Sequence, residues 1–199
     1  MGRRRAGLCA KRPERPFAVL REPSAGPPGD LMTVTPQSFI QGMRQLASGV
    51  TLVTTAHGGR RAGLTATAVC SVSAEPPQLL ACINRQAETH RMIADSAAFA
   101  VNVLARDQHR LAQIFAGAAG VYGDRRFAEA EWRSLVTGVP VLSPCVATFD
   151  CRLIDLVPVA THSIFIGCVV AVELRADLDP LVYVEGDYGL IAPLMSSAR

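Results

Sequence analysis

After about residue 48 the chain is a succession of short apolar or alternating runs, and only a few segments repeat at the helical period. Thr35-Pro36 has the form of an N-cap followed by a first-turn proline. Phe39, Ile40, Met43, Leu46 and Ala47 then recur at helical spacing, which predicts an amphipathic helix ending before Gly49. Residues 50–56 read as a strand, His57-Gly58-Gly59-Arg60 as a turn, and 61–73 as a single antiparallel partner. Pro76-Pro77 is expected to stop that partner and open a loop, because proline cannot donate to a ladder. A strand over 78–83 follows, then a helix capped by Thr89 and reaching Ala98, then a strand over 99–104. Asp107 is placed to cap a short helix bearing Leu111, Ile114 and Phe115 and closed by Gly117. Residues 122–127 and Trp132 read as mixed loop. Residues 145–159 alternate until Pro158 breaks them, 163–174 form a strong apolar strand, and 181–184 the last one, followed by Gly186-Asp187-Tyr188-Gly189.

Many short strands with two or three helices favour a mainly β fold, an antiparallel barrel with appended helices, over a doubly wound sheet. No Gly-x-Gly-x-x-Gly lies between a strand and a helix, and no run of about 20 apolar residues could span a membrane.

At 199 residues and 49% hydrophobic, the chain suits one domain with a full core. Five prolines and seven Lys/Arg against three Asp/Glu fall in residues 1–35. Residues 1–34 are therefore expected to be a disordered basic leader, 35–192 the folded domain and 193–199 a tail. Met32 as the physiological start is an equal alternative. Since the net charge is +3, the leader's excess leaves the body near −1, which argues against a basic nucleic-acid-binding face on the domain. The cysteines, Cys9, Cys70, Cys82, Cys145, Cys151 and Cys168, show no C-x-x-C pair or metal-ligand spacing. They read as reduced thiols of a cytoplasmic protein.

Three stretches carry candidate chemistry. Residues 63–73 hold no side chain larger than leucine, and Thr65, Thr67, Ser71 and Ser73 supply hydroxyls, so a flat ligand could approach the backbone. Taken alone, the stretch reads first as an ordinary Thr/Ser-rich strand with one polar and one apolar face. Asn84-Arg85-Gln86-Ala87-Glu88-Thr89-His90 sets several donors at a strand-to-helix transition, where a phosphate would be held, or else forms a solvated loop. His162 enters an apolar strand and reads either as a functional group or as a satisfied core histidine.

Taken in order, Val50-Thr51-Leu52-Val53-Thr54-Thr55, Gly63-Leu64-Thr65-Ala66-Thr67-Ala68 through Pro76-Pro77, Phe99-Ala100-Val101-Asn102-Val103-Leu104, Arg126-Phe127, Thr161-His162 through Gly167, and Tyr188-Gly189 resemble the flavin reductase-like, FMN-binding split-barrel family. That family includes the reductase components of two-component flavin monooxygenases such as those acting on 4-hydroxyphenylacetate. The resemblance spans about residues 36–192. It implies an antiparallel Greek-key split β-barrel and an NAD(P)H:flavin oxidoreductase, which reduces FMN or FAD by hydride transfer and supplies the reduced flavin to a partner monooxygenase.

The resemblance also assigns Thr65, Ala66, Thr67, Ala68 and Val69 to the flavin ring and ribityl chain, and Asn84, Arg85 and Thr89 to its phosphate. Asn102, His162 and Tyr188 are carried over as further cofactor-binding positions, with His162 positioning the reacting groups. A homodimer is implied; no metal, nucleic acid or membrane is. Asp124 departs from the family pattern, in which an acid directly precedes Arg-Phe; here Arg125 stands in that place. A tightly held FMN that reduces a metal or quinone, and a non-catalytic flavin-binding protein, are the alternative readings.

Overall fold

A computed structural model describes residues 34–192, so the expected leader, apart from Val34, and the expected tail lie outside the described residues. Helix α1 (Pro36–Arg44) starts as its sequence requires, the Thr35 hydroxyl accepting from the Ser38 N–H at 3.1 Å. Strands β1 (Ser48–Gly49), β2 (Thr51–His57), β3 (Arg60–Ala66), β4 (Val69–Ala74) and β5 (Pro77–Asn84) follow. Next come α2 (Glu88–Ser96), β6 (Ala98–Val103), α3 (His109–Phe115), a 3-10 turn (Gly123–Phe127), β7 (Glu131–Ser134) and β8 (Pro140–Ser143). The long strands β9 (Ala147–Val159) and β10 (His162–Leu174) precede β11 (Val182–Val184) and β12 (Asp187–Gly189).

Seven strands form one sheet in the order β3-β2-β6-β9-β10-β5-β4, every pair antiparallel. Its two edges, β3 and β4, are consecutive in the chain and joined only by Thr67-Ala68. The sheet therefore has to curl until its edges approach, giving the expected antiparallel barrel, left split at this seam. Inside it, Val53, Ala81, Ile83, Phe99, Val101, Cys151 and Phe165 pack with Ile93 of α2. Gly167 admits this density: a Cβ there would lie 2.6 Å from Phe99 Cζ and 2.8 Å from Cys151 Cβ. A second cluster joins Leu52 and Leu104 to Phe115 of α3, Phe127 and Leu142, with Trp132, Tyr183 and Tyr188 against it.

Several local expectations are corrected. The partner strand expected over 61–73 is two strands, because the chain passes from one sheet edge to the other at Thr67-Ala68. Pro77 opens β5 directly instead of leading into a loop; at a strand's first position its missing N–H costs nothing. Pro158 does not break β9, since it pairs with Ser163 beside the closing turn. Thr89 caps nothing: the N-cap of α2 is Ala87, and Thr89 is buried in the first turn. Nor does Asp107 cap α3. Gln108 holds that place, its side chain accepting from the Ala105 N–H and donating to Pro144 O. The expected loop through Tyr122 and Trp132 contains the 3-10 turn and the β7–β8 hairpin. Helix α1 buries no residue, leaving Phe39, Ile40, Met43 and nearby Leu46 exposed.

Asn102 is also corrected as a cofactor ligand. It is fully buried in β6, its amide donating to Leu52 O and Thr54 Oγ1 and its carbonyl accepting from the Leu142 N–H at 2.9 Å and the Thr148 hydroxyl. Every donor and acceptor is used, so it ties β2, β8 and β9 together and faces no ligand. Asn102→Ala strands these buried partners and is expected to cost about 3 kcal/mol of unfolding free energy by urea denaturation. A loss below about 1 kcal/mol would contradict this role.

Candidate functional site

The turn at Gly58-Gly59, both with positive φ (58° and 75°), launches β3. Arg61 of β3 donates from Nε and Nη2 to the two carboxylate oxygens of Asp124, at 2.7 and 2.8 Å. Its guanidinium also lies over the Phe127 ring, 4.6 Å from the centroid. These bonds hold the Asp124 carboxyl below its usual range and raise Arg61 above its own. Both groups are well exposed, so the pair contributes chiefly position: it pins the 3-10 turn onto β3.

At Gly63 an added Cβ would meet Phe115 Cε1 at 2.8 Å, so only glycine lets β3 lie this close to α3. Phe115 packs edge-on against Phe127 at 5.1 Å, and Trp132 donates its indole N–H to Phe127 O. Between β3, the start of α2, the end of α3 and the turn lies a cavity of about 320 Å³. Arg61, Gly63, Leu64, Ala87, Glu88, Thr89, Phe115, Ala116, Tyr122 and Arg126 line it, with Ala62 and Gly123. Thr89 is 3% exposed and sits in the first turn of α2, against the cavity. Arg126 is half-buried and donates to Val121 O and Gly63 O, at 3.0 and 3.1 Å.

A second group gathers at the barrel seam. Thr67 and Ala68 are exposed there, and Ala68 O accepts the Cys82 N–H at 3.0 Å. Along β5 the outward positions Leu80, Cys82 and Asn84 alternate with buried Leu79, Ala81 and Ile83. Asn84 pairs in register with His162 of β10, while the Arg85 N–H reaches Thr161 O. Asn84 Oδ1 accepts from the Gln86 N–H at 2.9 Å, which shapes the entry to α2. His162 Nδ1 and the Thr161 hydroxyl share a 2.9 Å hydrogen bond, and the imidazole is exposed. Beneath, His90 Nε2 meets the buried Ser163 hydroxyl at 2.9 Å, its ring edge-on to Phe165.

The structure thus brings Thr67, Ala68, Asn84, Arg85 and His162 together at the seam and sets Thr89 in the adjoining cavity. Val69 and Ala66 pack toward the barrel core instead, and the Thr65 hydroxyl donates to Ala112 O at 2.6 Å. Tyr188 stands apart, in a separate three-stranded sheet with its ring 5.4 Å from that of Tyr183. Arg61 and Phe115, which line the cavity with Gly63 of the small-residue stretch, were not singled out as candidates by sequence reasoning. The only signal was a basic pair and a glycine inside a strand next to a Gly-Gly turn. Among the described residues no cluster of His, Cys, Asp or Glu is arranged to hold a metal ion, and no helix is long and apolar enough to cross a membrane. Among the described residues no disulfide joins Cys70, Cys82, Cys145, Cys151 or Cys168.

A split antiparallel barrel with small exposed residues at its seam and cationic and hydroxyl groups in the next cavity defines a flavin-handling protein. The flavin reductase like domain matches residues 43–192, and the chain belongs to that family of NAD(P)H:flavin oxidoreductases. It is 41% identical over 153 residues to an FMN reductase (NADH) RutF of Bradyrhizobium diazoefficiens, covering 77% of this chain and 84% of the relative. Flavin reductase PheA2 superposes with a TM-score of 0.74 at 32% identity, over 80% of this chain and all of that one. BorF, the flavin reductase component of a bacterial two-component tryptophan halogenase, gives 0.73 at 30% identity, over 80% of this chain and all of its own.

Burial, and next the charge of Arg85, hold the His90 imidazole below its ordinary value near 6.5. The unfolded chain takes up this proton more readily, so the contribution is intact above about pH 6.5 and is lost as pH falls below it. Thermal melts at pH 7.5 and 5.5 should show a smaller pH dependence in His90→Gln than in the wild type; equal slopes would place the acid sensitivity elsewhere.

Proposed function

We propose that the protein is an NADH-dependent FMN reductase whose reduced flavin diffuses to a partner oxygenase. The observation that carries this reading is the pairing of an open, small-residue seam with an adjoining cavity lined by Thr89 at the start of α2 and by Arg126. The residues fit a flavin. Exposed Thr67 and Ala68 offer a hydroxyl and a small side chain without bulk, and Asn84, Arg85 and His162 supply polar groups beside them. The printed activity of the Bradyrhizobium relative supports NADH and FMN, and BorF's place in a two-component system supports a partner enzyme.

Bound flavin would accept hydride from the reduced nicotinamide at N5, a step that needs no general base. The chain's part is to hold the ring against the seam and keep the second ring in stacking reach. His162, tethered through Nδ1 to Thr161, presents its other edge outward and orients rather than transfers. The seam is shallow and solvent-facing, which favours exchange of flavin over permanent retention. The exposed apolar residues of α1 support the homodimer as the working form.

Purified protein should oxidise NADH only when free flavin is added, faster with FMN than with FAD. A preparation retaining a flavin that does not exchange and reduces a metal or quinone instead would overturn the reading. His162→Ala is expected to lower kcat/KM about tenfold, equivalent to about 1.4 kcal/mol of transition-state stabilisation. An unchanged value would remove His162 from the site.

A further inference from the structure

We propose that Cys70 and Cys82 form a peroxide-sensitive thiol pair beside the barrel seam, and that its closure to a disulfide slows the reductase when reduced flavin is not taken up. The inference rests on the flavin reductase reading and gives a role to two thiols that hydride transfer does not use.

The pairing of β4 with β5 sets Cys70 opposite Leu80 and Val69 opposite Ala81. One step further along, the Cys82 N–H bonds Ala68 O, so the ladder continues with Cys82 opposite Ala68. Opposed residues of an antiparallel pair share a face, which makes Cys70 and Cys82 diagonal neighbours on one face. That face is the outer one: Ala81 and Ile83 are buried on either side of Cys82, whereas Cys70 is exposed and Cys82 half-buried. A second mark of closeness is the Cys82 thiol itself, raised above its ordinary range by burial and next by the charge of Cys70.

Diagonal neighbours stand roughly 7–8 Å apart, and a disulfide asks for about 5.5–6 Å between Cα atoms, so closure draws the strands together by about 1–2 Å. Strand β4 is placed to supply that movement. It lies at the edge of the sheet with β5 as its neighbour, and its register already shifts between Ser71 and Ser73. The displacement falls beside Thr67-Ala68, where the chain crosses the seam, so it disturbs the surface proposed to receive the flavin ring.

The oxidant comes from the reaction's own product. Reduced flavin that meets dioxygen before an acceptor enzyme passes two electrons and two protons to it, giving oxidised flavin and hydrogen peroxide. The exposed Cys70 sulfur, as thiolate, attacks one peroxide oxygen; the O–O bond breaks, hydroxide leaves and is protonated to water, and Cys70 becomes a sulfenic acid. With its charge gone, part of the opposition to ionising Cys82 goes too. The Cys82 sulfur gives up its proton and attacks Cys70 Sγ, the S–O bond breaks, and the departing hydroxide takes up a proton as a second water. Two thiols have lost two electrons and two protons, and one peroxide has become two waters.

The test treats the full chain with a small excess of hydrogen peroxide, without flavin or NADH, then alkylates the remaining thiols and cleaves after Arg61 and Arg85. Residues 62–85 hold both cysteines and should come away two hydrogens lighter and unalkylated. In NADH turnover with catalase present, the KM for FMN of the oxidised protein should be about fivefold higher and should return to its starting value with dithiothreitol. Cys70→Ser should match wild type before treatment and not change after it, while Cys82→Ser should leave Cys70 as a sulfenic acid that dimedone captures. Alkylation of both cysteines after peroxide, a bridge from Cys70 to Cys9, an FMN KM that does not move, or an equal loss in Cys70→Ser would each overturn the proposal. Untreated protein that oxidises no NADH with any flavin would overturn the reductase reading and this regulation with it, a failure told apart because it precedes any peroxide.

Discussion

Two residues have to carry the chain from one edge of a seven-stranded sheet to the other, and the rest of the molecule follows from that constraint. Thr67-Ala68 are too few to cross a flat sheet, so the sheet must curl, and the place where it fails to close becomes an accessible seam. At the seam the Cys82 N–H of β5 still reaches Ala68 O at 3.0 Å, which ties the crossing to β5. The same curl brings the end of β5, and with it the start of α2, to the mouth of the split.

What keeps so curved a sheet in register is polar as much as apolar. Asn102 reaches β2, β8 and β9 at once, and Asp150 of β9 accepts from both the Thr137 N–H and the Thr137 hydroxyl. The Thr54 hydroxyl donates across to Pro140 O at 2.6 Å, and Thr51 to Ala66 O at 2.7 Å. These bonds specify one register among several that apolar packing alone would tolerate.

Much of this was legible in the chain. Apolar or alternating runs marked the long strands of the main sheet, though not β1, β7, β8 or β12, while the Gly58-Gly59 turn fixed the β2–β3 hairpin and Thr35-Pro36 the start of α1. Fold, family and flavin chemistry came from the order of several weak motifs, none of which was specific by itself. What stayed hidden was long-range. A run of strand formers over 61–73 cannot reveal that a barrel seam will divide it. Asn102 looks like a ligand until the partners that occupy its amide are known, and these lie up to 50 residues away. Thr89 looked like a cap because Ser, Thr, Asn and Asp so often are, but here an alanine holds the cap position and Thr89 is buried in the first turn. Arg61 and Asp124 are 63 residues apart, and nothing local links them.

Gly63 sits where three parts of the protein press on one backbone unit. Its missing side chain makes room for the Phe115 ring, its carbonyl takes a bond from Arg126, and Phe115 is wedged against Phe127 and Trp132. The cavity's wall is therefore backed by a stack of rings with no slack in it. Evolution on this scaffold cannot resize this cavity and its aromatic backing separately, so a change in what the cavity admits has to come through the turn at 122–125, where exposed side chains can change while the rings stay in place.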